Sequence, residues 1–542
     1  MSSNNHRLDL TSIRERLGLS RGKEYWRSLE ELTENEGFEE LLHEEFPRLA
    51  SQWDDAIGRR RFLKLMGASL ALAGLGACTH QPKEEIVPYI RQPEDLVPGK
   101  PLYFATAFSL GGIAEGLLVE SHEGRPTKIE GNPDHPASLG STSAFAQASV
   151  LTLYDPDRSQ TLTHMGEIGT WSRFVAEVQA ALIAKSGGAG FRLLTETITS
   201  PTLAYQIRQL LTQFPSAKWH QYEPVNRDNT QAGARLAFGE VVNTIYRFDK
   251  ANVILSIDSD FLSGGPGTLR YIHDFAERRR VEPGRTEMNR LYMVESTATN
   301  TGAVADHRFR LRPSEIENLA RTIAAAAGVQ SGVTVPGNQP ANSAEWIAAV
   351  ARDLLQHRGK SIVIAGDCQS PVVHALVHAM NHALGNVGKT VDYTESIEAE
   401  PVAQTESLRE LVRDMNAGQV DLLVMVGGNP VYSAPADLGF GERLVKVPLR
   451  IHLALYDDET SALCHWHVPE AHYLESWSDA RAYDGTVSIV QPLIAPLYRG
   501  KSAHELLAAL LNQPELTAYQ IVRDYWKSHI SAGNRDMTPK TA

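Results

Sequence analysis

Short, fully apolar runs recur along this chain, and most end in Gly or Asp. Val253–Ile257 leads into Asp258-Ser259-Asp260, Ser361–Ala365 into Gly366-Asp367, and Asp421–Val426 into Gly427-Gly428-Asn429-Pro430. Leu291–Glu295 and Phe191–Leu194 are further runs of this kind. Helical patterns separate them, among them Trp171–Ala184 and Pro201–Phe214. A strand that is apolar on both faces must be covered on both faces. Alternation with helices therefore predicts an α/β fold with parallel, Rossmann-like sheets over residues 166–500. Residues 102–165 read differently. LYFATAF and GLLVESHEGRPTKIEG, with a Glu123-Gly124 turn, predict a smaller β-rich region with a hairpin. Residues 503–528, within a C-terminal segment at 501–542, read as a helical pair.

The front of the chain has its own pattern. Residues 1–57 form an acidic, partly helical tail. Residues 58–78 then carry Arg59, Arg60 and Arg61, thirteen uncharged residues (LMGASLALAGLGA) and Cys78. That apolar stretch makes about 20 Å of helix, too short for a hydrocarbon core of roughly 30 Å. A basic region, a short apolar region and a small-residue site read as an export signal. Arg59 and Arg60 resemble the twin-arginine type. Leu75-Gly76-Ala77-Cys78 resembles a lipoprotein box, with Cys78 as the lipid attachment point. Residues 79–101 hold five prolines and predict an extended arm. The expected location is the periplasmic side of a bacterial membrane, peripheral and lipid-anchored.

Composition sets limits on chemistry. Net charge is −13 and no basic stretch dominates, which argues against a nucleic-acid partner. There are three cysteines in 542 residues, Cys78, Cys368 and Cys464. A cluster held by four thiolates needs more. His374, His378 and His382 share a helical face, but one helix rarely places three ligands around one metal. They read as packing residues. Cys464-His465-Trp466-His467 reads as a packed loop rather than half of a zinc site. Asp457-Asp458-Glu459 reads as a solvated turn or helix cap. Gly264-Gly265-Pro266-Gly267 reads as a turn. Gly427-Gly428 can admit a pyrophosphate close to the backbone or simply turn the chain.

Gly124-Arg125-Pro126-Thr127-Lys128-Ile129-Glu130-Gly131-Asn132-Pro133-Asp134-His135-Pro136 and Leu153-Tyr154-Asp155-Pro156-Asp157-Arg158 resemble the molybdopterin oxidoreductase superfamily. So do the stretches Asn381–Gly388 and Gly427–Pro430. The late signal, Gly302–Arg308, and Trp466–Pro469 with Glu475–Asp479 are more similar to one branch. That branch is the molybdopterin-oxidoreductase-like part of the large peripheral subunit of bacterial alternative complex III.

In the catalytic families, a cluster cysteine follows the Gly-Asn-Pro motif, and the corresponding position here is Ser143. The resemblance therefore implies a site without iron–sulfur or molybdenum in this chain. Gly131, Asn132, His135, Ser143, Gly427, Gly428 and Asn429 would be its remnants. It implies a non-catalytic scaffold in a quinol-oxidising respiratory complex. Iron–sulfur clusters and haem c would lie in partner chains or in a further C-terminal region. The implied partners are a ferredoxin-like iron–sulfur protein, a multihaem cytochrome c and integral quinol-binding subunits. Two other readings stay open: a pterin- or nucleotide-binding oxidoreductase subunit completed by a second chain, and an exported binding or maturation protein.

Overall fold

Residues 97, 99–184, 186–284, 286–329 and 343–531 are described here by a computed structural model. The acidic tail 1–57, the signal residues Arg59, Arg60 and Cys78, and most of the arm at 79–101 lie outside the described residues.

β1 (Leu102–Leu110), β2 (Ile113–His122) and β3 (Arg125–Gly131) form an antiparallel meander. The hairpin predicted at Glu123-Gly124 is present. Both residues have positive φ, 52° and 83°, which matches the twist of the strands it joins. Period-two alternation buries Leu117, Val119 and Ile129 against Ala146 and Leu153 of the helix Ala144–Leu153.

The larger layer is a seven-stranded sheet. Its order is β5 (Glu167–Ile168), β4 (Thr163–His164), β16 (Trp466–Pro469), β15 (Leu449–Ala454), β14 (Leu422–Val426), β6 (Phe191–Thr195) and β7 (Lys218–Gln221). From β16 to β7 all pairs are parallel, and β4 and β5 add an antiparallel edge. Every residue of β6 and β14 is buried, because both faces are covered. Leu193 and Val424 point to the helices Trp171–Ala184, Pro201–Gln213 and Ala503–Leu510. Leu194, Leu423 and Met425 point to Gln404–Asn416 and Phe440–Leu444. Trp466 and His467, expected within a loop at Cys464–His467, instead open the strand β16. Pairing with β15 overrides its weak local signal.

The second layer is a four-stranded parallel sheet. Its order is β11 (His307–Arg310), β10 (Arg290–Glu295), β9 (Val253–Ile257) and β12 (Ser361–Ala365). Val253, Leu255 and Val363 face the helices Pro313–Ala326, Ser343–Gln356 and Pro371–Ala383. Ile254 and Ile362 face Phe248, Phe261 and Phe275. Two small antiparallel pairs complete the description: β8 (Val242–Tyr246) with β13 (Val391–Glu395), and β17 (Ser478–Arg481) with β18 (Val487–Val490). The architecture is thus the predicted α/β arrangement with a smaller β-rich N-terminal region.

Candidate functional site

In an open parallel sheet, ligands bind beyond the carboxyl ends of the strands, where the strand order reverses. Here the chain runs from β6 outward to β7, then returns on the other side of β6 as β14, β15 and β16. The reversal lies between β6 and β14. Glu196 directly follows β6, and Gly427-Gly428 directly follows β14.

Both glycines have positive φ, 69° and 65°, a turn that glycine makes without strain, and the Gly427 N–H donates to the Leu453 carbonyl at 2.9 Å. Glu196 stands over that turn. A Cβ on Gly427 would lie 2.7 Å from Glu196 Oε2, and one on Gly428 would lie 3.4 Å from Glu196 Cγ. The Gly428 N–H faces the Glu196 carboxyl and favours its charged form.

The surrounding charge is acidic. Glu196 keeps an exposed surface although protein surrounds it closely. Burial, then the nearby Glu223 and Glu470, push its carboxyl up to about 8 against the Gly428 hydrogen bond. Burial also raises Glu470 to about 7, opposed by Arg158. Glu223 is raised by burial, although it accepts from the Thr197 N–H at 3.1 Å. Asn429 is committed elsewhere. Its Nδ2 donates to Glu459 Oε2 at 2.7 Å, and its Oδ1 accepts from Thr460 at 2.7 Å. Buried His452 holds the Gly428 carbonyl at 3.0 Å and Ser461 at 2.8 Å.

The other sequence candidates gather around β2 and β3. The Asn132 carbonyl accepts from the His135 N–H at 3.1 Å and the Gly140 N–H at 3.0 Å. His135 is buried, and its Nε2 meets Ser488 Oγ at 3.0 Å. Gly131 allows close approach: a Cβ there would sit 2.2 Å from the Gly140 carbonyl oxygen. Ser143 is the N-cap of the helix Ala144–Leu153. Its Oγ accepts from the Ala146 N–H at 3.1 Å, and its own N–H donates to Glu115 at 3.2 Å.

The remaining signature stretches act as framework. Arg158 and Glu475 form a buried bidentate pair at 2.6 and 3.2 Å. Asn381 bonds both the N–H and the C=O of Val363, at 3.1 and 2.8 Å. Arg308 pairs with buried Glu295, over which Gly302 packs. Asp479 gathers Ser200, Thr202 and Trp526 Nε1, the last at 2.8 Å.

His374 and His378 are buried packing residues, whereas His382 is exposed. Cys464 is buried, and burial pushes its thiol up to about 12. Asp458 caps the short helix Glu459–Ala462, as one of its two readings expected. Among the described residues, no three His, Cys, Asp or Glu side chains converge as a metal site. No described helix is long and apolar enough to cross a membrane.

Sequence reading missed Glu196, Glu223, Glu470 and His452. The available signal was an acidic residue placed directly after an apolar strand, at Glu196.

The two parallel layers and the meander define the molybdopterin-oxidoreductase-like fold. Acetylene hydratase from Pelobacter acetylenicus shares it with a TM-score of 0.56 at 12% identity, covering 78% of this chain and 70% of that one. In sequence, the chain is similar to the menaquinone reductase, molybdopterin-binding-like subunit of Nitratidesulfovibrio vulgaris. Identity is 24% over 505 residues, covering 84% of this chain and 72% of that protein. No family model matches the chain.

A pterin cofactor of the kind the sequence resemblance implies would bring phosphate to this crevice. The one glycine turn at the strand reversal already receives a carboxylate, and two more carboxylates face it. A pyrophosphate there would meet the Glu196 side chain, and the Gly427 N–H is already given to the Leu453 carbonyl at 2.9 Å. These residues do not fit such a group.

Proposed function

We propose that this chain is a non-catalytic scaffold subunit of a quinol-oxidising respiratory complex. The observation that supports it most is the fate of Ser143. The position that resembles a cluster cysteine is a serine spent on capping a helix. Around it, Arg158–Glu475, Asn381 and Asp479 hold the frame together. The similarity to a molybdopterin-binding-like subunit of a menaquinone reductase agrees with that reading.

Electrons would pass through partners: a ferredoxin-like iron–sulfur protein, a multihaem cytochrome c and integral quinol-binding subunits. The chain itself would hold no iron–sulfur cluster, haem or molybdenum. It would sit on the periplasmic face, held by lipid on Cys78 after export through the Arg59-Arg60 signal. One acyl chain anchors only marginally, so partner contacts would share the attachment.

The test is purification of the full chain from its native membrane, followed by metal and pterin analysis. The expected result is co-purification with haem- and iron-containing subunits, and a separated chain free of iron, molybdenum and pterin. Stoichiometric molybdenum or pterin in the separated chain would overturn the proposal in favour of a cofactor-holding subunit.

A further inference from the structure

We propose that Glu196 is the resident side chain of the Gly427-Gly428 turn, and that it closes this crevice to phosphate-bearing ligands. The inference rests on the scaffold reading and adds the residue that enforces it.

The geometry is specific. The turn lies at the strand reversal between β6 and β14, where a parallel sheet offers its ligand site. Its glycines have no side chain to fill the space in front of them. Glu196 fills it instead, with Oε2 2.7 Å from where a Gly427 Cβ would be. Of the turn's two N–H groups, that of Gly427 is already given to the Leu453 carbonyl at 2.9 Å, and that of Gly428 faces the Glu196 carboxyl. Glu223 and Glu470 add negative potential, so removing the plug by side-chain rotation would not make the crevice welcoming while the charge remains.

The second sheet shows the same device. Its strand order reverses between β9 and β12. There Asp258, with φ of +56°, spans the gap. It accepts from the Ser296 N–H at 3.0 Å and from Gln369 Nε2 at 2.8 Å, tying together the ends of β10, β9 and β12. A Cβ on Gly366 would lie 2.0 Å from the Asp258 carbonyl oxygen, so the backbone itself shuts this crevice. Both positions where the sheets could take a ligand are thus closed by the chain's own acidic residues.

The probe is inorganic pyrophosphate, titrated calorimetrically into the full chain at low salt and pH 8. Wild type, Glu196→Ala and Glu196→Gln are compared, with thermal melting to confirm folding. The expected result is no saturable binding by wild type below millimolar concentrations. Glu196→Ala should bind at least about tenfold tighter, since a like charge in contact range is gone. Glu196→Gln removes the charge but keeps the bulk, and provides the readout if the alanine variant does not fold. Any gain in either folded variant supports the plug. No gain in any variant that folds overturns it, as does submillimolar binding by wild type. A wild-type chain free of metal and pterin with unresponsive variants would leave the scaffold reading standing and remove only the plug.

Discussion

Replacing Arg158 by Met should destabilise the chain by about 3–4 kcal/mol at neutral pH. The Arg158 and Glu475 side chains are each only 1% exposed, so the surviving carboxylate cannot rehydrate. Breaking a buried pair on one side typically costs about 3–5 kcal/mol. Glu475 has one escape, which is to bind a proton. Burial raises its carboxyl, but the hydrogen bonds from Arg158, Leu497 and His472, with the Arg158 charge, outweigh burial and hold it below the ordinary value. Without Arg158, holding Glu475 neutral at pH 7 against an ordinary value near 4.3 costs about 3.7 kcal/mol, at about 1.4 per pH unit. The backbone N–H groups of Leu497 and His472, each 2.9 Å away, remain to soften the loss. The sign follows from linkage. In the variant the folded chain keeps Glu475 protonated, so the penalty is present above the unfolded value near 4.3 and falls away as pH drops toward it. The wild-type advantage should therefore shrink to about 1 kcal/mol near pH 5. The assay is urea unfolding followed by tryptophan fluorescence at pH 7 and pH 5. Arg158→Met with Glu475→Leu should recover much of the loss. A single variant that costs under about 1 kcal/mol at pH 7 would refute the reasoning. So would a penalty independent of pH.

Mild acid should weaken the fold through its buried histidines. Burial drives His467 and His472 down to about 4, so the unfolded chain takes protons below pH 6.5 that the folded one refuses. Each such histidine would remove about 2 kcal/mol by pH 5. The melting temperature should fall steadily from pH 7 to pH 5, and His472→Gln should flatten that slope; an unchanged slope would count against it. Asp479→Ala should cost about 2–4 kcal/mol by stranding Thr202 and Ser200 and releasing Trp526 of the helix Ala518–Ser531. Proteolysis starting within 518–531 would report it, and a wild-type digestion pattern would contradict it.

Much of the fold was legible because burial on both sides of a strand leaves an unmixed apolar run. SIVIA gave β12 with its observed boundaries, and FRLL and DLLVMV gave β6 and β14 within a residue. β15 and β16 were hidden because Arg450, His452 and His467 interrupt their patterns. Those groups are satisfied only in three dimensions: Arg450 by the Leu463 and Val447 carbonyls, and the histidines by Ser461. The site was half legible. Gly427-Gly428 announced a turn that a ligand could approach. What fills it comes from Glu196, more than two hundred positions earlier, and sequence spacing carries no trace of that meeting. Ser143 was legible as a residue type, but its capping bond required the helix to be seen.

Asn381 gives β12 something a border strand usually lacks. β12 ends its sheet, and its outer N–H and C=O groups would invite another chain to pair. By bonding both groups of Val363, one side chain imitates a neighbouring strand. Asn386 extends the imitation by holding Asn381 at 3.0 Å and Ser361 at 3.1 Å. A subunit that must wait for its complex would spend part of its life with its surfaces unclaimed. For such a protein, a border finished from within is protection against premature and mistaken company.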